Sequence, residues 1–261
     1  MATELPPHNE FLSFANRLAD QSRSMLLEAR HRKPDIEIKQ DASYVTATDK
    51  AVEAALREMI QKTYPEHGIL GEEFENINID AEFVWVLDPI DGTAAFVAGI
   101  PVYGSLIALA WQGAPFVGVI EHPITSDRWT GVAGKFAEFN GEPIRVRPCM
   151  SIETAYVTCS NRDFMKARDQ ERFERIRKRA QYVQYGGSCY AYGVLASGRT
   201  DLAIDGGLDP FDIYASAAVI TGAGGHVTDW AGRAVSFDMD GTVLAAGDKA
   251  RLDETIAVLQ G

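Results

Sequence analysis

Two aspartates, Asp88 and Asp91, directly follow a short apolar segment of the sequence, residues 83–87. Five apolar residues flanked by acidic ones are typical of a buried strand. Pro89 and Gly92 predict that this strand stops there in a turn. The two carboxylates are therefore expected at the carboxyl end of a strand, which is where α/β folds bind their ligands.

Ionised carboxylates at a buried edge repel each other, and a hard divalent cation removes that conflict. Asp88, Asp91 and the backbone carbonyl of Ile90 between them offer only oxygen ligands, a set that suits Mg²⁺. Thr93 adds a hydroxyl where a helix is expected to begin, and the free N–H groups of a helix start favour a phosphate. The alternative for this segment, taken alone, is an ordinary turn with solvated acids.

Three further acids lie where helices or strands are expected to begin or end. Asp49 lies at the start of a helix with apolar residues at helical spacing, and Asp212 lies at the start of another. Glu72 follows a short apolar segment. Each has an ordinary interpretation when taken alone: Asp49 as a helix N-cap, for example, or Asp212 as an acid that stabilises the positive end of a helix dipole.

Taken together, these acidic motifs resemble the signatures of the inositol monophosphatase family of Mg²⁺-dependent, Li⁺-sensitive phosphatases. They occur in the family's order and spacing: Thr48-Asp49, Gly71-Glu72-Glu73, Asp88-Pro89-Ile90-Asp91-Gly92-Thr93 and the helix-opening Asp212. The resemblance covers the chain from about residue 10 to its end. It implies a fold of the α/β (α+β) class, a layered αβαβα sandwich with the metal site between two halves.

The resemblance also implies roles for individual residues. The implied ligands of two Mg²⁺ ions, with a weaker third ion near Glu72, are Glu72, Asp88, the Ile90 carbonyl, Asp91 and Asp212. Thr93, oriented by Asp49 and assisted by Glu72, would take up the proton of a water that attacks the phosphorus in line. The N–H groups of Gly92 and Thr93 would cradle the phosphate. No covalent enzyme intermediate is needed.

The expected substrate is a small phosphorylated alcohol, and one segment narrows the choice. Residues 185–193, with Arg128-Trp129 and the spacing of Asp205 from Asp212, look most like the histidinol-phosphate phosphatase branch, which serves histidine biosynthesis. That branch has an aspartate where this chain has Ser188 and a glutamate where it has Asp205. Both positions line the substrate pocket in the family, so Ser188 and Asp205 are predicted to bind substrate.

These departures leave two alternatives open. One is an inositol-1-phosphate phosphatase with the same metal site. The other is a regulatory relative that keeps the fold but works through a partner, although the complete set of metal ligands argues against a purely non-catalytic role. A separate motif at residues 237–243 matches the Asp-x-Asp-Gly-Thr of haloacid-dehalogenase-like phosphatases. Because too little chain follows it for that fold, we predict a surface turn there.

Composition and charge fit this interpretation. The 261-residue chain is 46% hydrophobic and 24% charged, as expected of a soluble globular protein without a membrane helix. The formal net charge of −12 argues against nonspecific nucleic-acid binding. The N-terminal seven residues lack the features of a signal peptide. Widely spaced Cys149, Cys159 and Cys189 indicate reduced thiols and a cytoplasmic location. Homodimers are implied by the resemblance.

The elements that must position these residues fall into two predicted halves. Residues 1–147 are expected to form two helices and an antiparallel sheet, and residues 148–261 to alternate strands with helices, with a soft boundary near Arg147-Pro148. Asp212 must therefore cross the boundary to reach Asp88. The basic segment 166–179 is interpreted as a solvated amphipathic helix, with a phosphate-steering or partner-binding face as the alternative.

Overall fold

The computed structural model describes residues 7–32, 34–38 and 44–261, so most of the N-terminal segment compared above with a signal peptide lies outside the described part. The helices are α1 (His8–Ala29), α2 (Ala47–Thr63), α3 (Thr93–Ala98), α4 (Ala167–Arg177), α5 (Ser188–Ala196), α6 (Pro210–Gly222) and α7 (Lys249–Gln260). The strands are β1 (Ile36–Ile38), β2 (Tyr44–Thr46), β3 (Gly68–Gly71), β4 (Phe83–Asp91), β5 (Gly104–Trp111), β6 (Ala114–His122), β7 (Asp127–Val132), β8 (Phe136–Phe139), β9 (Glu142–Pro143), β10 (Tyr156–Cys159), β11 (Tyr182–Tyr185), β12 (Leu202–Gly206), β13 (His226–Thr228) and β14 (Thr242–Ala246).

These elements stack in the five layers that were predicted. Helices α1 and α2 cover one face of a seven-stranded sheet that runs in order from β3 to β9. Helices α5 and α6 lie between that sheet and a five-stranded sheet of order β11-β10-β12-β14-β13. Helices α4 and α7 cover the far side of the second sheet. Among the described residues, one buried apolar cluster lies under α1 and α2, a second lies between the two sheets, and a third lies under α4 and α7. This arrangement confirms the αβαβα sandwich.

Strand β4 shows how the sheet orients the acids. Val84 and Val86 belong to the apolar cluster that includes α5 and α6, whereas Trp85 and Leu87 belong to the cluster under α1 and α2. Successive side chains of a strand point to opposite faces, so a strand that is covered on both faces has a continuous apolar sequence. The next even-numbered residue, Asp88, continues the face that carries α6.

The prediction that β4 stops at Pro89 is wrong. The strand continues to Asp91, which pairs with Gly104, and its register shifts between Asp88 and Asp91. Proline lacks an N–H group, and within sheets it is tolerated at such irregular positions. The irregularity therefore admits Pro89 without ending the strand. Gly92 then turns the chain into α3 with a φ of +85°, a region that favours glycine.

Two glycines let α6 lie directly on the first sheet. A Cβ atom at Gly118 would lie 2.2 Å from the Ala215 carbonyl oxygen, and one at Gly131 would lie 2.6 Å from the Val219 Cα. Larger residues at these strand positions would push the helix outward. This close approach carries the start of α6, with Asp212, across the proposed boundary near residue 147; that boundary stays a prediction.

Other elements agree with the sequence in part. The hairpin between β5 and β6 and the turn before β8 were predicted, but β14 and α7 were not. The first part of the motif at residues 237–243 lies in the predicted surface turn, but Thr242 and Val243 are buried in β14, so that prediction is only partly right. In α4, Phe173 and Ile176 are buried while Arg177 pairs with Glu174, as expected of an amphipathic helix. No helix among the described residues is long and apolar enough to cross a membrane, and the three cysteines are free thiols.

Candidate active site

The irregular end of β4 forms the floor of the site. The Ile90 N–H donates to Oδ1 of Asp88 over 3.0 Å, which fixes the carboxylate against its own backbone. From the neighbouring strand β5, the buried Ser105 hydroxyl donates to the Pro89 carbonyl over 2.6 Å. These two bonds stabilise the backbone between Asp88 and Asp91.

Helix α6 supplies the third acid. Pro210 opens the helix, and the N–H of Asp209 donates to Oδ2 of Asp212 over 2.6 Å, so Asp212 serves the helix start with one oxygen. Carboxylate oxygens of Asp88, Asp91 and Asp212 all lie within 4.8 Å of one another. Asp212 is thus in one cluster with Asp88 and Asp91, although it follows them by more than 100 positions in the sequence.

Burial and mutual repulsion destabilise the charged form of these acids. The pKa of Asp88 is raised well above its ordinary value, first by burial and then by the charges of Glu72, Asp91 and Asp212. Burial also raises the pKa of Asp91 and, together with the Asp91 charge, that of Asp212. Glu72, which follows β3, adds a fourth carboxylate whose charge is felt by both Asp88 and Asp212.

The donor set fits Mg²⁺. It consists of carboxylates and the neighbouring Ile90 carbonyl, all hard oxygen donors, and a divalent cation would relieve the repulsion described above. The structure thus brings together Asp88, Asp91 and Asp212, with Glu72 close enough to act on two of them.

A stability measurement can detect this repulsion. We expect Asp88→Asn to raise the free energy of unfolding of the metal-free protein by on the order of 1 kcal/mol at pH 8, because it removes one buried charge from a group of like charges. Asparagine keeps an oxygen that can accept the Ile90 N–H. Urea unfolding in excess chelator is the measurement. An unchanged or lower stability would show that the carboxylates do not repel one another.

Thr93 lies beside Asp49. Its Oγ1 is 3.3 Å from Oδ1 of Asp49 and 3.0 Å from the Ile90 carbonyl oxygen. Asp49 is not the N-cap of α2; Thr46 is, and its N–H donates to Oδ2 of Asp49 over 2.9 Å in a capping box. The cap leaves Oδ1 of the buried Asp49 directed at Thr93. Burial raises the pKa of Asp49.

The start of α5 closes the site from the second half of the chain. The N–H of Cys189 donates to Oδ2 of Asp91 over 2.6 Å. Ser188 lies against Gly92, since a Cβ atom on that glycine would be 2.8 Å from the Ser188 Oγ. The sequence gives no signal for the Cys189 contact, because it is made by a backbone N–H. Ser188 is thus placed next to the segment proposed to cradle phosphate.

Asp205 is placed differently from Ser188. It is buried on β12, where Oδ1 accepts from the Ser160 N–H over 2.6 Å and Oδ2 accepts from the Tyr192 hydroxyl over 2.7 Å. Both carboxylate oxygens are therefore engaged by protein groups. Tyr192 belongs to α5, so Asp205 helps to hold the helix that carries Ser188. Its predicted contact with substrate stays a prediction.

The comparisons with known proteins agree with this geometry. The family model described as the inositol monophosphatase family matches residues 8–260. The chain is 39% identical to the bifunctional phosphatase IMPL2, chloroplastic, of Arabidopsis thaliana over 249 residues, 92% of this chain and 72% of that protein. It is 31% identical to a histidinol-phosphatase of Chlorobaculum parvum over 236 residues, 90% of this chain and 91% of that protein.

A solved structure gives the same result for the fold. An inositol monophosphatase from Zymomonas mobilis superposes with a TM-score of 0.90 at 34% identity, covering 98% of this chain and 100% of that one. Fold, acidic cluster and sequence therefore agree: the chain belongs to the inositol monophosphatase family, whose members are phosphoric monoester hydrolases.

Proposed function

We propose that the protein is a Mg²⁺-dependent phosphomonoesterase that hydrolyses histidinol phosphate to histidinol and phosphate in histidine biosynthesis. The observation that carries the reaction class is the convergence of Asp88, Asp91 and Asp212 within 4.8 Å. The substrate assignment is supported by residues 185–193, which resemble the histidinol-phosphate branch and whose Ser188 and Cys189 contact the acidic segment. The cytoplasmic location and the homodimer both stay predictions. Light scattering would test whether the protein is a dimer.

In the proposed site, Glu72, Asp88, the Ile90 carbonyl, Asp91 and Asp212 would hold two or three Mg²⁺ ions. When bound, Mg²⁺ would neutralise charge on the phosphate oxygens and stabilise the leaving alkoxide. The N–H groups of Gly92 and Thr93, at the start of α3, bind the phosphate and orient it.

The proton of the attacking water has a route through the chain's own residues. Thr93 takes up this proton as its own hydroxyl proton passes to Oδ1 of Asp49, 3.3 Å away. The raised pKa of the buried Asp49 suits it to accept that proton. Glu72 assists by orienting the water. No side chain becomes covalently attached to phosphate.

Specificity is expected to depend on Ser188. Histidinol phosphate carries an ammonium group, which inositol phosphate lacks, and a charge-assisted hydrogen bond contributes more than a neutral one. Ser188 offers only a hydroxyl, and the Asp205 carboxylate is already bonded to Ser160 and Tyr192. Ser188 has a φ of 46°, a conformation that aspartate and asparagine adopt more readily than most residues.

We therefore expect Ser188→Asp to raise kcat/KM for histidinol phosphate by up to ~10-fold, the order of one additional ionic hydrogen bond in a partly wet pocket. Ser188→Asn, with the same shape and no charge, is the matched control and should not share the gain. The measurement is kcat/KM for histidinol phosphate and for inositol-1-phosphate with each variant.

Inositol-1-phosphate is the second candidate substrate. The engagement of Asp205 within the protein favours it, because the wild-type pocket then lacks one expected carboxylate for an ammonium group. A wild-type enzyme that prefers inositol-1-phosphate, with no shift toward histidinol phosphate in Ser188→Asp, would overturn both the branch assignment and the role of Ser188.

A further inference from the structure

Helix α2 carries a buried ion pair one turn beyond Asp49. Glu53 and Arg57 follow Asp49 at intervals of four residues, so the three side chains line one face of the helix. The Glu53 residue is 0% exposed and Arg57 is 7% exposed. Burying two charges is costly unless every polar group of the pair has a hydrogen-bond partner. The hydrogen bonds around the pair therefore identify the part of the chain that it stabilises.

The partners are backbone groups of residues 73–75, in the irregular segment that begins with Glu72. Arg57 donates from Nε to Oε1 of Glu53 over 2.7 Å, from Nη1 to the Glu75 carbonyl over 3.0 Å, and from Nη2 to the Phe74 carbonyl over 3.1 Å. The second carboxylate oxygen of Glu53 accepts from the Glu73 N–H over 2.9 Å. The pair thus binds three consecutive residues immediately after Glu72.

The residue before Glu72 lies directly against the same carboxylate. A Cβ atom at Gly71 would lie 2.2 Å from Oε1 of Glu53, so the glycine allows the strand end to lie directly on the ion pair. The backbone is therefore constrained on both sides of Glu72, although residues 72–75 form no helix or strand.

Such a constraint is needed for electrostatic reasons. The charge of Glu72 acts on Asp88 and Asp212, so without a cation the carboxylates repel and favour movement of the segment away from the site. A segment that must be ordered by each binding event would weaken binding by the free energy of that ordering. A pre-positioned Glu72 avoids this cost.

We propose that Glu53 and Arg57 are positioning residues that fix the segment carrying Glu72 and thereby set the affinity of the site for Mg²⁺. This inference rests on the proposed Mg²⁺-dependent function. Neither residue is expected to touch substrate or the ion; both act through the backbone on either side of Glu72.

The main test is Arg57→Lys. Lysine keeps a positive charge opposite Glu53 but lacks the planar fork that reaches both carbonyls. We expect the Mg²⁺ dissociation constant, measured by titration calorimetry without substrate, to rise about 10-fold or more, the usual effect of removing a residue that orients a metal ligand. The Mg²⁺ concentration for half-maximal phosphate release should rise in parallel.

Arg128→Lys is the matched control. Arg128 also donates from its Nε to a buried glutamate, Glu121, and from its other nitrogens to Asn16 and Asp20, but these partners belong to β6 and α1. The control should lose stability in urea while its Mg²⁺ dissociation constant stays within about twofold of the wild type. A merely structural role of Arg57 would give this same pattern.

Glu53→Gln is a second, milder variant, in case Arg57→Lys does not fold. Its amide leaves one acceptor oxygen for the two donors, Arg57 Nε and the Glu73 N–H, so we expect the Mg²⁺ dissociation constant to rise roughly threefold. Unchanged Mg²⁺ binding in the folded variants, or an equal change in Arg128→Lys, would overturn the inference alone. A wild-type protein that binds no Mg²⁺ would overturn the proposed function and this inference with it.

Discussion

Replacing Asp88 by asparagine should lower phosphate release by ~10³-fold or more, because this carboxylate is central to the cluster that stabilises charge in the transition state. Asp88 is buried, and Glu72, Asp91 and Asp212 all act on its charge. Asparagine has nearly the same shape, so the variant should lose the charge while it keeps the fold. The measurement is kcat/KM for phosphate release at saturating Mg²⁺.

The control for this variant is Asp238→Asn, which removes an acid from the motif that resembles another class of phosphatase. Asp238 is exposed in the turn before β14 and lies outside the acidic cluster. Its loss should change activity by less than about twofold, as is usual for a surface position. If the Asp238 variant is inactive and the Asp88 variant is active, the proposed active site is wrong.

Removing divalent cations should abolish phosphate release altogether. The negative carboxylates of Asp88, Asp91 and Asp212 would then repel the negative phosphate. No side chain of this cluster carries a positive charge that could neutralise the carboxylates or the phosphate. Activity should return on addition of Mg²⁺ and should be inhibited by Li⁺. The measurement is phosphate release in excess chelator, before and after the addition of Mg²⁺.

Circular dichroism of the chelated protein is the control, because the loss of activity should occur without unfolding. Among the described residues, three buried apolar clusters stabilise the fold, and none of them includes an acid of the site. Full turnover in excess chelator would rule out the proposed mechanism. Together with the expected gain in stability of metal-free Asp88→Asn, these results would show a site that favours catalysis over stability.

The sequence alone determined much of the site because its acids belong to local patterns. Asp49 lies in the first turn of an amphipathic helix and Asp212 in that of an apolar helix, and Asp88 and Asp91 follow a buried apolar run. Such patterns extend over a few residues and are visible without the fold. Through the family resemblance, these patterns predicted two things: the αβαβα sandwich, and the position of Asp212 next to Asp88.

Only the tertiary structure determined the features that depend on residues distant in the sequence. Strand β4 continues through Pro89 because β5 lies beside it and pairs with it as far as Asp91. Asp205 is held by Ser160, which follows β10, and by Tyr192 of α5. Strand β14 and helix α7 were not predicted, although local signals for both are present: an apolar run at residues 242–246, and Asp248 as an N-cap before apolar residues at helical spacing. Their apolar residues help to fill the cluster on the outer side of the second sheet. Packing and hydrogen bonds across the fold decide the course of β4 and the position of Asp205, because the short-range pattern of the chain does not contain the partners that stabilise them.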